Sequence, residues 1–146
     1  DPACAAHTAP IAPATALSGG AAALTPADVA SAARVAGAVD LGFDLISAFI
    51  CPRCGRRDEV GRPAALVYDD ESRCPACGAS RRVENGSRVG RDSPFWRRPL
   101  AALGVANCEL LRVVADGGEE TWVAIGSADP WRIAIDRAPD EGEDGR

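Results

Sequence analysis

The sequence predicts a small α+β domain that contains a zinc ribbon, short strands, one or two short helices and a C-terminal β-hairpin. Three observations indicate this class. Two near-identical cysteine pairs are separated by 19 residues, two apolar segments within 109–125 flank Asp-Gly-Gly, and residues 25–28 have the form of a helix start. The 146 residues suffice for one such domain with tails.

The composition divides the chain into three parts. Residues 1–24 are rich in Ala, Pro and Gly without a sustained period, which indicates a linker or docking segment. Residues 25–137 form the predicted zinc-ribbon domain, and the acidic residues 138–146 form a tail that we expect to be disordered. Because the chain begins Asp-Pro and contains no methionine, we expect it to be a piece of a longer protein.

Local patterns predict the first helix and the strand that leads into the first cysteine pair. Thr25 can cap a helix with Pro26 in its first turn, and small apolar residues on one face extend this helix to about Ala38. The segment 41–50 alternates in part and is rich in β-branched and aromatic residues, so it predicts a strand ending at Cys51.

Shorter elements follow. Residues 65–68 and 81–84 are candidate strands, and Asn85-Gly86 after the second is a turn signal. Residues 99–104 predict one or two helical turns closed by Gly104. The clearest hairpin joins 109–115 to 120–125.

The strongest functional signal is a duplicated cysteine knuckle, Cys51-Pro-Arg-Cys54-Gly and Cys74-Pro-Ala-Cys77-Gly. Two thiolates two residues apart in a tight turn can reach one ion, and the glycine permits the left-handed backbone that brings amides to the sulfurs. Four such sulfurs close a tetrahedron without a position for substrate, which predicts one structural zinc ion. Two disulfides, a redox pair and iron are the alternatives for these cysteines.

Other residues carry weaker signals. Cys4 and His7 form a pair that lacks two further ligands, so an incidental loop pair is favoured over half of a second metal site or a nucleophile with a base. Cys108 lies beside an apolar strand and is interpreted as a buried thiol. Phe95, Trp96 and Trp131 are interpreted as packing anchors. No catalytic or cofactor-binding residue is predicted other than the zinc ligands.

Charge and composition narrow the function classes. Residues 51–98 hold eleven arginines and seven acids, which leaves nucleic-acid binding as an alternative, although a net charge of -5 and the negative charge of a four-thiolate zinc site favour a solvated ribbon face. The chain has no lysine, which excludes Schiff-base and phosphate-loop lysine chemistry. No transmembrane segment or signal peptide is predicted within these residues, and we expect a cytoplasmic location without membrane partners.

The order of these features resembles the C-terminal region of certain bacterial ThiF/MoeB-type proteins, which are adenylating enzymes related to ubiquitin-activating enzymes. The resemblance covers roughly residues 3 to 126 and rests on Cys4-x-x-His7, the two knuckles, and Pro99-Leu-Ala-Ala-Leu-Gly-Val105 before the closing hairpin. The knuckles are shared by many zinc ribbons, so the Leu-Gly-Val stretch is the more distinctive part.

The resemblance implies that these residues do not themselves catalyse the family's reaction. In that family an ATP-dependent adenylation domain activates the C-terminus of a ubiquitin-like protein, and none of its catalytic motifs matches a position here. The expected role is therefore a non-catalytic zinc-binding module that docks the adenylation domain, the ubiquitin-like protein or a carrier protein. A zinc-ribbon protein of transcription or RNA processing is the first alternative, and an enzyme that uses Cys4 or Cys108 as nucleophile is the second.

Overall fold

The computed structural model describes residues 15–107 and 109–126. Within these residues the chain forms one α-helix and six strands of a single mixed sheet, so the predicted α+β class is confirmed. The elements, in chain order, are β1 (Thr15–Leu17), α1 (Pro26–Ala33), β2 (Gly37–Ile50), β3 (Arg57–Pro63), β4 (Arg82–Val89), β5 (Glu109–Ala115) and β6 (Glu120–Ile125).

The long strand β2 organises the sheet. It pairs antiparallel with β4, while on its other edge residues 37–40 pair with β5 and residues 45–50 pair with β3. Between these two parts Gly42 has a φ of 78° and the register with β4 shifts. This irregularity divides the sheet into a core half, which continues through β5, β6 and β1, and a ribbon half of β2, β3 and β4.

The hydrophobic core lies between α1 and the core half of the sheet. Thr25 and Asp28 form a capping box that starts α1, and Val29 on this helix is fully buried. A 3-10 turn at Leu100–Leu103 covers the same core and ends at Gly104, whose φ of 97° closes the turn. The predicted helical turns at 99–104 are therefore confirmed. The other large buried core side chains are Val39, Leu41, Leu45, Val89, Phe95, Val105, Leu111, Val113, Val123 and Ile125.

The prediction that the first helix extends to about Ala38 is wrong, because α1 ends at Ala33. Arg34 takes the left-handed conformation with a φ of 56°, and β2 already begins at Gly37. Gly37 pairs with Ala115 of β5, and a side chain at Gly37 would collide with the β5 backbone. Long-range pairing with β5 therefore overrides the helical tendency of the alanine-rich segment.

Two of the predicted short elements are also corrected. The segment predicted as a strand at 65–68 contains a 3-10 turn at Ala64–Leu66, and the strand in this region is the charged β3. Asn85-Gly86 is not a turn, because β4 continues through it and Gly86 pairs with Leu45. The hairpin is confirmed, since β5 and β6 have the predicted bounds.

Strand β1 lies within the segment for which the sequence indicates a linker or docking segment. Thr15–Leu17 pairs parallel with Val123–Ile125 of β6 and extends the core half of the sheet. The predicted disordered tail at 138–146 lies outside the described residues.

Candidate metal centre

The first knuckle is a tight turn that directly follows β2. The amide of Cys51 donates to the carbonyl of Arg56 at 2.8 Å, and the amide of Gly55 donates to the carbonyl of Cys51 at 2.9 Å. These two bonds fold residues 51–56 back on themselves, so the chain leaves the turn into β3 antiparallel to β2. The ribbon hairpin therefore presents Cys51 and Cys54 at its tip.

The second knuckle repeats this geometry. The amide of Cys74 donates to the carbonyl of Ala79 at 2.8 Å, and the amide of Gly78 donates to the carbonyl of Cys74 at 2.8 Å. Residues 74–79 thereby form a second turn just before β4, which lies beside β2 on the opposite edge from β3. The sheet brings the two turns to the same end of the ribbon half.

The glycine after each pair is required by its backbone conformation. Gly55 and Gly78 have φ angles of 74° and 72°, in the left-handed region that side chains other than glycine rarely adopt. A Cβ at either position would meet no heavy atom within 4 Å, so space is not the reason for glycine. The conformation needed by the turn is the reason, as the sequence predicts.

The four predicted zinc ligands, Cys51, Cys54, Cys74 and Cys77, come together. Their Sγ atoms all lie within 4.8 Å of one another. The distance is 3.5 Å between the sulfurs of Cys51 and Cys77 and 3.6 Å between those of Cys54 and Cys74. A tetrahedral zinc site with bonds of about 2.3 Å places its sulfurs about 3.8 Å apart, whereas a disulfide bond is about 2.05 Å long. The arrangement fits a tetrahedral metal site and not two disulfides.

Each knuckle contributes one inner and one outer sulfur ligand. Cys51 and Cys74 are 1% and 2% exposed, while Cys54 is exposed and Cys77 is half-buried. The inner cysteines are anchored through their own amides and carbonyls to the turns described above. An ion held by the four sulfurs would therefore lie at the end of the ribbon half, with the sheet on one side and the outer cysteines toward solvent.

Hydrogen bonds and burial shift the pKa values of the clustered thiols in opposite directions. The amide of Cys54, with help from that of Arg53, donates to the Cys51 sulfur and outweighs burial, so the pKa of Cys51 falls to about 6. The amide of Ala79 favours the Cys77 thiolate, but the Cys51 sulfur and burial outweigh it and raise the pKa of Cys77 to about 12. Four neighbouring thiols do not ionise together without a positive charge among them, and a divalent ion supplies that charge.

A buried arginine joins the parts of the ribbon half. The side chain of Arg81 is 7% exposed, and its guanidinium carbon lies 4.4 Å from the centre of the Phe49 ring. Its Nη1 donates to Asp58 Oδ2 at 2.6 Å, and its Nη2 donates to the carbonyl of Glu71. Arg81 thus connects β2, β3 and the segment before the second knuckle. Nothing in the sequence distinguishes it from the other arginines of residues 51–98.

Some of the arginines in residues 51–98 form ion pairs with carboxylates of the same chain. Of the eleven arginines in residues 51–98, five lie within 4.0 Å of a carboxylate oxygen among the described residues. These five are Arg56, Arg57, Arg62, Arg81 and Arg88. The positive charge of the segment is therefore partly neutralised by the protein itself.

The remaining residues singled out in the sequence fall into two groups. Phe95 is 2% exposed and Trp96 packs against the core, so their interpretation as packing anchors is confirmed. Cys4, His7, Cys108 and Trp131 lie outside the described residues.

Fold and cysteine cluster together define a small α+β domain of zinc-ribbon-like form in which four thiols can hold one metal ion. Comparison of the chain with protein-family models, curated proteins and solved structures finds no match. The resemblance to the ThiF/MoeB type therefore stays a prediction. Among the described helices, none has the length and apolar character needed to span a membrane.

Proposed function

We propose that Cys51, Cys54, Cys74 and Cys77 bind one zinc ion and that this ion has a structural role. The observation that carries the proposal is the approach of all four Sγ atoms to within 4.8 Å of one another on two turns of the same geometry. Thiolate ligands in a tetrahedral arrangement favour zinc among the common divalent ions.

The structural role follows from the ligand count. Four protein sulfurs occupy every position of a tetrahedral ion, so neither water nor substrate can bind the metal. Metal binding to such sites contributes on the order of 10 kcal/mol or more to folding. The ribbon half needs such a contribution, since its strands β3 and β4 each contain a single buried residue.

The metal content of the purified chain tests this proposal. We expect one zinc per chain by elemental analysis, and cobalt exchanged into the site should show the visible absorption of tetrahedral cobalt thiolate. A strong chelator should remove the metal together with much of the β-sheet signal in circular dichroism. Iron in place of zinc, less than one metal per four cysteines, or an unchanged spectrum after chelation would each contradict the proposal.

We propose further that the domain is a non-catalytic docking module of a larger ThiF-like enzyme that activates a ubiquitin-like protein. The support is the order of the knuckles, the Leu100–Leu103 turn with Gly104, and the β5–β6 hairpin. The ion pairs that five arginines of residues 51–98 form with four carboxylates lower the positive charge of the segment and favour a protein partner over nucleic acid.

The reading frame upstream of Asp1 tests the parent enzyme. We expect an adenylation domain with a nucleotide-binding loop in the same frame. A frame that encodes no such domain would remove the ThiF-like assignment and leave the zinc module standing. In solution, the zinc-loaded chain should bind the adenylation domain or its ubiquitin-like substrate more tightly than it binds single-stranded RNA or duplex DNA.

A further inference from the structure

A cleft of about 670 Å³ lies on the core half of the molecule, away from the cysteine cluster. Its walls are α1 with the turn that follows it, and the loop at 90–97 that leads from β4 to the Leu100–Leu103 turn. The amide of Ala27 on α1 donates to the carbonyl of Trp96 at 3.1 Å. This bond joins the two walls, so the cleft is a built feature of the fold.

Three arginines line this cleft. Arg34, Arg91 and Arg97 are all exposed, and none of them lies within 4.0 Å of a carboxylate among the described residues. The lack of a carboxylate partner distinguishes them from the five ion-paired arginines of residues 51–98 named above. Their guanidinium groups are therefore available for an anionic ligand.

An aromatic side chain lies among these arginines. Trp96 is half-buried, packs against the core with part of its surface and lines the cleft with another part. A partly exposed tryptophan beside cationic groups offers apolar contact area next to charge-assisted hydrogen-bond donors. The ligand that fits carries both negative charges and an apolar group.

Acidic residues limit the length of anion that the cleft accepts. The carboxylate of Asp28 is already engaged by the amide and hydroxyl of Thr25, at 2.9 and 2.8 Å. A neighbouring recess shares Arg91 with the cleft but also contains Asp92 and Asp116. A nucleic acid, which carries a phosphate every few ångströms, would extend from the cleft into this recess and be repelled by Asp92 and Asp116. A peptide can instead place acidic side chains at the arginines and amide donors near the aspartates.

We propose that this cleft binds an acidic peptide segment of a partner protein, with its carboxylates at Arg34, Arg91 and Arg97 and an apolar side chain on Trp96. The proposal deepens, and rests on, the docking role proposed above. It places the docking surface on the core half and leaves the zinc site as a structural element of the ribbon half.

Fluorescence anisotropy of a labelled peptide tests the cleft. The probe is an eight-residue peptide with Glu at six positions and Leu at two, compared with the same peptide carrying Gln for Glu. It is titrated with the zinc-loaded full chain at low salt. We expect binding of the Glu peptide, weakened about tenfold by Arg91→Gln with Arg97→Gln.

A charge-matched control decides whether the location matters. Arg73→Gln with Arg82→Gln removes two arginines that also make no ion pair among the described residues but lie outside the cleft. This variant should bind the Glu peptide within about twofold of the parent chain. Trp96→Phe keeps the packing against the core. It should weaken binding of the Glu peptide with Leu more than binding of the same peptide with Ala in place of Leu.

Three results would overturn the proposal. They are no binding of the Glu peptide, equal weakening by the two double variants, and tighter binding of single-stranded RNA or duplex DNA at the same salt concentration. Zinc content and circular dichroism are measured on every variant. A variant that keeps its metal and its spectrum but loses the peptide isolates the cleft, whereas loss of metal in the parent chain would count against the structural zinc proposal alone.

Discussion

The carboxylate of Asp40 and the guanidinium of Arg112 form an ion pair inside the sheet, with 2.5 Å between Oδ2 and Nη2. The two residues are register partners on β2 and β5, although 72 positions separate them in the sequence. The Asp40 side chain is 8% exposed, and its Oδ1 accepts a hydrogen bond from the amide of Gly42 at 2.9 Å. The pair therefore stabilises β2 where the strand passes from the core half to the ribbon half.

Asp40→Asn should destabilise the domain by about 1–2 kcal/mol, because a neutral amide replaces the nearly buried carboxylate that pairs with Arg112, while Glu120 still pairs with Arg112 at 2.8 Å. Chemical denaturation of the zinc-loaded chain measures the change in the free energy of unfolding. Asp44→Asn is the matched control, since Asp44 lies on the same strand, is exposed and makes no ion pair among the described residues. Equal effects of the two substitutions would contradict the role given to Asp40.

The same pair makes stability depend on pH in the acid range. Burial raises the pKa of Asp40, but hydrogen bonds from Arg112, Gly42 and Ser87 outweigh it and hold the pKa below its ordinary value of 3.8. The folded state therefore binds this proton less readily than the unfolded state, and the stabilisation is present above pH 3.8 and lost as the pH falls through the lower folded pKa. The stability difference between the parent chain and Asp40→Asn should narrow below about pH 4. A constant difference over the part of this range in which both chains keep their zinc would contradict this.

Replacing a knuckle cysteine should abolish metal binding at the site. Cys51→Ser and Cys77→Ser each remove one of four ligands, and we expect less than one zinc per chain and a loss of the cooperative unfolding transition. Elemental analysis and thermal denaturation measure both effects. Cys4→Ser and Cys108→Ser are the controls and should keep one zinc per chain; loss of zinc in either would add that cysteine to the ligand set.

Replacing either knuckle glycine by alanine should lower the stability of the domain, and the cause should be backbone conformation alone. Gly55→Ala and Gly78→Ala force a side-chain residue into the left-handed region without a steric clash, which costs about 1 kcal/mol each. Thermal denaturation should show this loss, together with faster zinc release to a chelator. Gly86→Ala is the control, because Gly86 lies in β4 without a positive φ and its added Cβ meets nothing within 4 Å. It should be neutral or slightly stabilising, and a loss as large as that of Gly55→Ala would refute the conformational explanation.

Arg81→Gln should destabilise the ribbon half by about 2 kcal/mol, because it removes the bonds to Asp58 and Glu71 and the contact with the Phe49 ring. Hydrogen exchange of β3 and β4 amides localises the effect. Arg82→Gln is the neighbouring control, since Arg82 is exposed and makes no ion pair among the described residues. Arg82→Gln should leave exchange unchanged, so equal acceleration in both variants would contradict the assignment.

The features that the sequence predicted correctly are local ones. The β5–β6 hairpin and the Leu100–Leu103 turn each depend on a few neighbouring residues whose conformational preferences agree. The two cysteine turns belong to the same group, because each is a six-residue turn built around its own glycine. Only their assembly into one cluster needs the sheet, and the duplication of the motif predicted that assembly.

The features that were missed depend on residues far apart in the chain. Strand β3 is charged and has no apolar run, and it becomes a strand because the first knuckle turns it back along β2. Asn85-Gly86 has the composition of a turn, yet β2 holds it extended through the pairing of Gly86 with Leu45. Buried Asp40 and Arg81 resemble other charged residues in the sequence, because burial and partners are properties of the folded chain.

The sequence by itself determined the fold class and the two knuckles with their four cysteines, since cysteine spacing and glycine conformation act over a few residues. The tertiary structure decided how one long strand, β2, joins the ribbon half to the core half, which arginines form ion pairs, and which arginines lie together beside Trp96. The physical reason is that backbone turns are set by local torsional energies, whereas ion pairs and clefts form only where distant segments are brought together by the sheet.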